Sequence, residues 1–354
     1  MEYTSKIPNL DEIEIDNTIN PDGCSFGGNN GNNSTLKVIG WNAERGTYWD
    51  VFADMVPTKA ELKDPDVVLL NEMDVGMARS GNVHTARRLA IRMGMNYAYG
   101  VEFLELTRGT KEEQNVTEGR RDALSLHGNA ILSRCVIGDA MILRDELPRT
   151  YFSSKPERGI NADGYEVRLG GRMGLFARIF ESPAPDNVDV DIIPEKHEST
   201  TDSSYRVPSA LLSHYVVGNV HKVEESEANR RALWSYYGFG PPPSNGTKYD
   251  GNGIDLAENQ KGVIVQGDFG PKFCSLGGLK KMNNYRIHKT FRVECLPDGK
   301  SVIKPLAGDF FCSNMKGSRG VKVTPSCDWT KNSTHPITLA DHAIVSIEVK
   351  SNKD

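Results

Sequence analysis

The sequence has no run of eighteen apolar residues, no CxxC pair and no internal repeat of fixed period. The first absence argues against a membrane-spanning helix. The opening stretch MEYTSKIPNLDEIEIDN is acidic and has no apolar centre, which argues against a signal peptide unless one has been trimmed off. The missing CxxC argues against a structural zinc site, and the missing repeat against a solenoid or propeller. Clean alternation of strand and helix is also scarce, so a doubly wound parallel sheet is disfavoured relative to a layered α/β fold with antiparallel strand pairs. With 38% hydrophobic and 25% charged residues over 354 positions, the chain reads as one large globular domain. Residues 1–35 are acidic and then rich in Gly and Asn, the composition of a poorly ordered lead-in. The domain is expected over 36–354, with insertions near 181–210 and 271–331.

Against these absences stands one recurrent pattern. The apolar runs LKVIGWN, DVVLLNE, HYVVGNVH, GVIVQGD and LADHAIVSIEV each carry, at or near one end, a polar residue suited to a metal or a phosphate. Short β-branched and aliphatic runs read as buried strands. Polar residues just past them would sit at strand mouths facing one crevice. Further strands are expected at 97–103, 129–134 and 172–180, and a helix over 85–95, where Ala86, Leu89, Ala90 and Met93 recur at helical spacing and Gly94 is a C-terminal stop. A second helix is expected over 224–237.

Charge is unevenly spread. Residues 271–331 hold 12 Lys and Arg against four acids, Glu294, Asp298, Asp309 and Asp328, although the whole chain has a net charge of −5. This segment, interleaved with aromatics such as Phe273, Tyr285 and Trp329, has the character of a polyanion-binding surface. A solvated loop is the equally weighted alternative. The six cysteines, four of them between 274 and 327, would pair in an oxidising compartment and act as small apolar residues in the cytosol; the cytosolic reading is slightly favoured, and the compartment stays open.

Taken singly, the polar candidates are weak. Glu72 after VVLL is a possible ligand for a hard cation, which needs oxygen donors on rigid backbone. Gly267-Asp268 after VIVQ joins a close-approach glycine to a carboxylate able to hold water. Asp341-His342 opens the last strand, and His127 and His221 complete the ionisable set.

Together the segments WNAERG (Asn42), LLNE (Glu72), HGNAILSR (His127, Asn129), GNVH (His221), QGDF (Asp268), CDW (Asp328) and ADH (Asp341, His342) resemble, in order from Leu36 to Val349, the endonuclease/exonuclease/phosphatase family of metal-dependent phosphodiesterases. The resemblance implies a four-layer α/β sandwich, two packed sheets flanked by helices as in deoxyribonuclease I. It implies Mg²⁺ or Mn²⁺ held by Glu72, with Asp341 near the metal and Glu44 at a position where some members carry an aspartate. Asn42, His221, Asp268, Asp328 and His342 would be the catalytic set, Asp328 orienting His342 and Asp268 positioning the attacking water. His127, Asn129 and Asn219 would lie on the substrate-phosphate side. The family pattern continues glycine-aspartate-x-asparagine, whereas this chain has Gly270 in GDFG. The expected substrate is a phosphodiester, nucleic acid being favoured through the basic segment, and the expected state is a monomer. A lipid or small-molecule phosphate ester, or a catalytically weak binding protein of the same fold, are the alternatives.

Overall fold

The computed structural model describes residues 10–24, 35–117, 119–144, 152–153, 167–180, 214–221, 223, 260–268, 286–295, 301–313, 316–325, 327–328, 337–340 and 342–350. In chain order the strands are β1 (Ile13–Asp16), β2 (Thr35–Asn42), β3 (Val67–Val75), β4 (Asn96–Glu105), β5 (Leu126–Ser133), β6 (Val136–Arg144), β7 (Phe152–Ser153), β8 (Val167–Gly170), β9 (Met173–Phe180), β10 (His214–His221), β11 (Gln260–Asp268), β12 (Arg286–Cys295), β13 (Ser301–Ser313), β14 (Lys316–Thr324), β15 (Cys327–Asp328), β16 (Ile337–Thr338) and β17 (Ile344–Lys350). The helices are α1 (Trp49–Met55), α2 (Thr85–Met93) and α3 (Lys111–Val116).

Two mixed sheets form the body. The first runs β14-β17-β2-β3-β5-β4-β8-β7 with β1 added against β4, and the second runs β12-β13-β11-β10-β9-β6. Only β2–β3 and β10–β11 pair in parallel among the described strands. The run VVLL shows why the two sheets stack. Val67 and Leu69 face the second sheet with Leu175, Ala177, Tyr215, Val217 and Ile264. Val68 and Leu70 face the other way, onto a layer with Trp41, Phe52, Ala86 and Leu89. A sheet covered on both faces needs an unbroken apolar run rather than an alternating one. Trp41 stacks on Phe52 of α1 with ring centroids 4.4 Å apart. Helix α2 occupies the expected span and stops at Gly94, whose φ of 64° is left-handed. Helices α1 and α2 thus make the outer layer on the first sheet; the expected helix 224–237 and the insertion 181–210 lie outside the described residues.

Three expectations change. The lead-in is not wholly outside the fold: β1 pairs with β4 in the register Ile13↔Gly100 to Asp16↔Tyr97, and Cys24 is disulfide-bonded to Cys135 with Cα atoms 4.6 Å apart. Alternating Ile13 and Ile15 are short enough to be lost among the acids in sequence, but suffice for a four-residue edge strand. Cys327 is disulfide-bonded as well, and no free cysteine occurs among the described residues, so the thiol reading does not hold for these three. The described parts of 271–331 are not a solvated loop: they supply β12 and β13 to one sheet and β14 to the other. Its lysines and arginines interrupt the apolar positions at short intervals, as in RIHKTFRVEC, which hides a strand from any search for unbroken apolar runs. No described helix is long and apolar enough to cross a membrane.

Candidate functional site

Parallel pairing brings the strand mouths together in two couples. Asn42 ends β2 opposite Asn71 of β3, and His221 ends β10 opposite Asp268, the end of β11. Gly267 holds the second couple close, because a Cβ at its φ of 146° would lie 1.8 Å from the Val220 carbonyl oxygen. Glu72 is not past its strand but inside it. The β3–β5 register slips between Leu70 and Met73, and Glu72 takes a left-handed φ of 59°. That bulge turns its side chain, 19% exposed, toward the strand ends of the second sheet.

The Glu72 carboxylate then has three neighbours. Asn42 Nδ2 donates to Oε1 at 3.1 Å, His221 Nε2 lies 3.4 Å from Oε1, and Arg45 Nη1 lies 3.7 Å from Oε2. Burial pushes the Glu72 carboxyl up, but the His221 and Arg45 charges outweigh it and hold the group well below the usual carboxylate range. Asn42 is itself fixed, since its Oδ1 accepts the Glu44 N–H at 3.2 Å. Glu44 is exposed on the turn that follows.

His221 is fully enclosed and held by a residue that periodicity did not point to. Glu102 of β4, with no exposed surface, accepts from or shares a proton with His221 Nδ1 at 2.7 Å. Its other oxygen accepts from Arg172 at 3.1 Å, and Arg172 sits over the Phe103 ring at 5.3 Å. Burial raises the Glu102 carboxyl, yet the His221 and Arg172 charges bring it down to about 2. Burial and then Arg172 push the His221 imidazole below its usual range, against the pull of Glu102. A carboxyl depressed from 4.5 to about 2 stabilises the folded state above pH 4.5, and that contribution fades as pH falls toward 2. Glu102→Gln is therefore expected to destabilise the fold at neutral pH, where the Arg172 pairing is lost. The gap from the parent should close on acidification through that window, as read from denaturant melts at several pH values; a gap independent of pH would contradict the assignment.

The three residues expected on the phosphate side are buried. Asn129 Oδ1 accepts from Asn71 Nδ2 at 3.3 Å and from the Glu72 N–H at 3.4 Å, and its Nδ2 donates to the Met173 carbonyl at 3.3 Å. It thereby fastens the left-handed Glu72 to β5 and β9. Asn219 donates to the Ala130 carbonyl at 3.3 Å. His127 Nδ1 meets Asp74 Oδ1 at 2.8 Å. All three have no exposed surface in this arrangement.

His342 is half-buried just before β17. Asp328 lies in β15 opposite Ile337; Asp341 and Gly270 lie outside the described residues. Among the described residues no group of three or more His, Cys, Asp or Glu forms a ready cation cage. The donors present still suit a hard cation: Glu72 offers a partly exposed, ionised carboxylate, and Mg²⁺ characteristically takes one or two carboxylates and keeps several waters.

No family model and no curated protein matches the chain. Solved structures do resemble it. An endonuclease/exonuclease/phosphatase from Beutenbergia cavernae is 14% identical with a TM-score of 0.44, covering 90% of this chain and 72% of its own. D. rerio TDP2 complexed with a single-strand DNA product is 12% identical with a TM-score of 0.43, over 89% of this chain and 98% of that one. The Bacteroides thetaiotaomicron mannosyl-6-phosphatase Bt3783 is 13% identical with a TM-score of 0.44, over 88% and 98%. Similarity at this level assigns no residue and no substrate.

Proposed function

We propose that this chain belongs to the endonuclease/exonuclease/phosphatase family and hydrolyses phosphodiesters by in-line attack of water, with Mg²⁺ or Mn²⁺ as cofactor. The observation that carries this is the convergence of Asn42, Glu72 and His221 at one end of the two sheets, with Asp268 in register beside His221. A phosphodiester is a weak electrophile wrapped in negative charge, so it needs cations around its oxygens and a carboxylate to orient water. When bound, the metal supplies charge neutralisation at a phosphoryl oxygen. Glu72 is its main holder, with Asp341 and Glu44 as further candidates. His221, steadied by Glu102, holds the Glu72 carboxylate, and His342, steadied by Asp328, contacts the phosphoryl group; Asp268 orients the water. Asn129 and Asn71 serve by fixing the Glu72 backbone, and Asn219 and His127 by filling the layer beneath.

Nucleic acid is the favoured substrate class. What supports this is that the basic segment contributes β13, which pairs with β11 so that Asp309 lies opposite Asp268. A lipid or small phosphate ester is the second reading, motivated by Leu106 and Leu124, which are 52% and 59% exposed on the connection between β4 and β5. Plasmid DNA, single-stranded DNA and phospholipid vesicles, each offered with Mg²⁺ and with EDTA, separate these readings. DNA cleavage abolished by EDTA and falling steeply with salt is expected. Hydrolysis confined to the vesicles would transfer the assignment to lipid, and cleavage of neither, with DNA still bound, would leave a binding protein.

A further inference from the structure

Three non-glycine residues around the site adopt left-handed backbone: Glu44 at φ 45°, Arg45 at 73° and Glu72 at 59°. Such geometry costs about 1–3 kcal/mol per residue and persists where its surroundings impose it. Two of the three are consecutive on the turn after β2, and their effect is to swing Arg45 back over Glu72. The guanidinium reaches both Glu113 and Glu72. Its Nε lies 3.2 Å from Glu113 Oε1, whereas its Nη1 stands 3.7 Å from Glu72 Oε2, a looser contact.

Glu113 is built to hold that grip. It is the third residue of α3, where its Oε2 accepts the Thr110 N–H at 2.6 Å while its own N–H donates to Thr110 Oγ1, a capping box. The same Oε2 lies 3.2 Å from Arg79 Nη1. Arg79 is in turn locked by Asp74 at 2.7 and 3.0 Å and by Glu105 at 3.2 Å, beneath the surface. A chain of alternating charges therefore runs from the core through Arg79 and Glu113 to Arg45, and it ends at the Glu72 carboxylate.

We propose that Arg45 is a substrate-contacting residue whose Nη1 edge exchanges Glu72 for a non-bridging phosphate oxygen, and that Glu113 is the positioning residue that keeps Nε fixed while this happens. An arginine suits the task because its planar fork offers donors in a fixed geometry matched to phosphate oxygens. The assignment rests on the phosphoesterase function proposed above, but its test does not depend on turnover.

Binding of inorganic phosphate to the full chain in the presence of Mn²⁺ is measured by titration calorimetry for the parent, Arg45→Ala, Arg45→Lys and Glu113→Gln, beside the kinetics on bis-p-nitrophenyl phosphate. Glutamine suits the third position of a capping box, so Glu113→Gln keeps α3 capped. Arg45→Ala should weaken phosphate binding about 10- to 100-fold, the usual size of a charged hydrogen bond, and raise KM more than it lowers kcat. Arg45→Lys should recover part of the loss. Glu113→Gln should move both quantities the same way by less, and the double variant should be no worse than Arg45→Ala alone, because the two act as one unit. Phosphate affinity of Arg45→Ala within twofold of the parent, or no phosphate binding by the parent, overturns the proposal, as do additive losses in the double variant. A parent that binds phosphate but cuts no ester overturns the proposed function alone, and the affinities then judge Arg45 by themselves.

Discussion

Glu72→Gln is expected to lower phosphodiester turnover at least about 10³-fold, because the charge stabilisation that depends on this carboxylate is worth several kcal/mol and each 1.36 kcal/mol is a factor of ten. The substitution keeps size and shape, so the bulge in β3 and the Asn129 contact to the Glu72 N–H at 3.4 Å remain available. What goes is the negative charge that Arg45 and His221 hold in its ionised form. Without it, the site end of the sheets presents cations to the phosphate but offers a metal one fewer anionic oxygen. Phosphate binding without metal should therefore survive, and Mn²⁺ binding should weaken. Turnover within tenfold of the parent would remove Glu72 from the centre of the site.

The second large effect is on stability. Arg79→Met should destabilise the fold by about 3–5 kcal/mol, since it strips the cation from buried carboxylates while keeping roughly the same bulk. Arg79 bridges Asp74, Glu105 and Glu113, the first two without exposed surface, and Arg168 reaches Glu105 from the other side at 3.0 Å. Asp74 also carries His127, and the Arg79 charge keeps its carboxyl far below the usual range against the push of burial. One deletion thus leaves Asp74 with His127 and the Ser80 hydroxyl but no buried cation, and breaks the link to Arg45. Arg92, paired with Asp54 at 2.7 Å with both side chains exposed, is the control: its removal should shift the denaturant midpoint little, as surface pairs are screened. Equal shifts for the two arginines would mean that the inner network is not what holds this corner of the sheet.

The strand-forming runs and the helix over Thr85–Met93 were legible in the sequence, because each depends on local apolar patterning; the meeting of Asn42, Glu72 and His221 depends on strand pairing and sheet stacking, which local patterning does not carry. The position of Glu72 within β3 was not. A one-residue slip of register against β5 leaves the run VVLLNEMDV looking like any buried strand. Glu102 was missed for a related reason. It sits in YGVEFLE, where an acid between apolar residues reads as a solvent-facing strand position, whereas β4 is covered on both faces and its acid is paired with groups 70 and 119 residues away. The Asp74–Arg79–Glu105–Glu113–Arg45 chain was invisible throughout, since pairings between separate elements leave no periodicity. In the basic segment, where a polyanion-binding surface and a solvated loop were weighed equally, charge hid the strands, since a strand needs only alternate positions to be apolar.

Direct attack by water on phosphorus is tested most directly by hydrolysing bis-p-nitrophenyl phosphate with Mg²⁺ in ¹⁸O-labelled water and locating the label. The expected result is metal-dependent release of p-nitrophenol, with one ¹⁸O in the p-nitrophenyl phosphate and none in the phenol, from the parent but not from Glu72→Gln. Absence of turnover with either metal, or label in the phenol, would contradict a phosphodiesterase centre at Glu72.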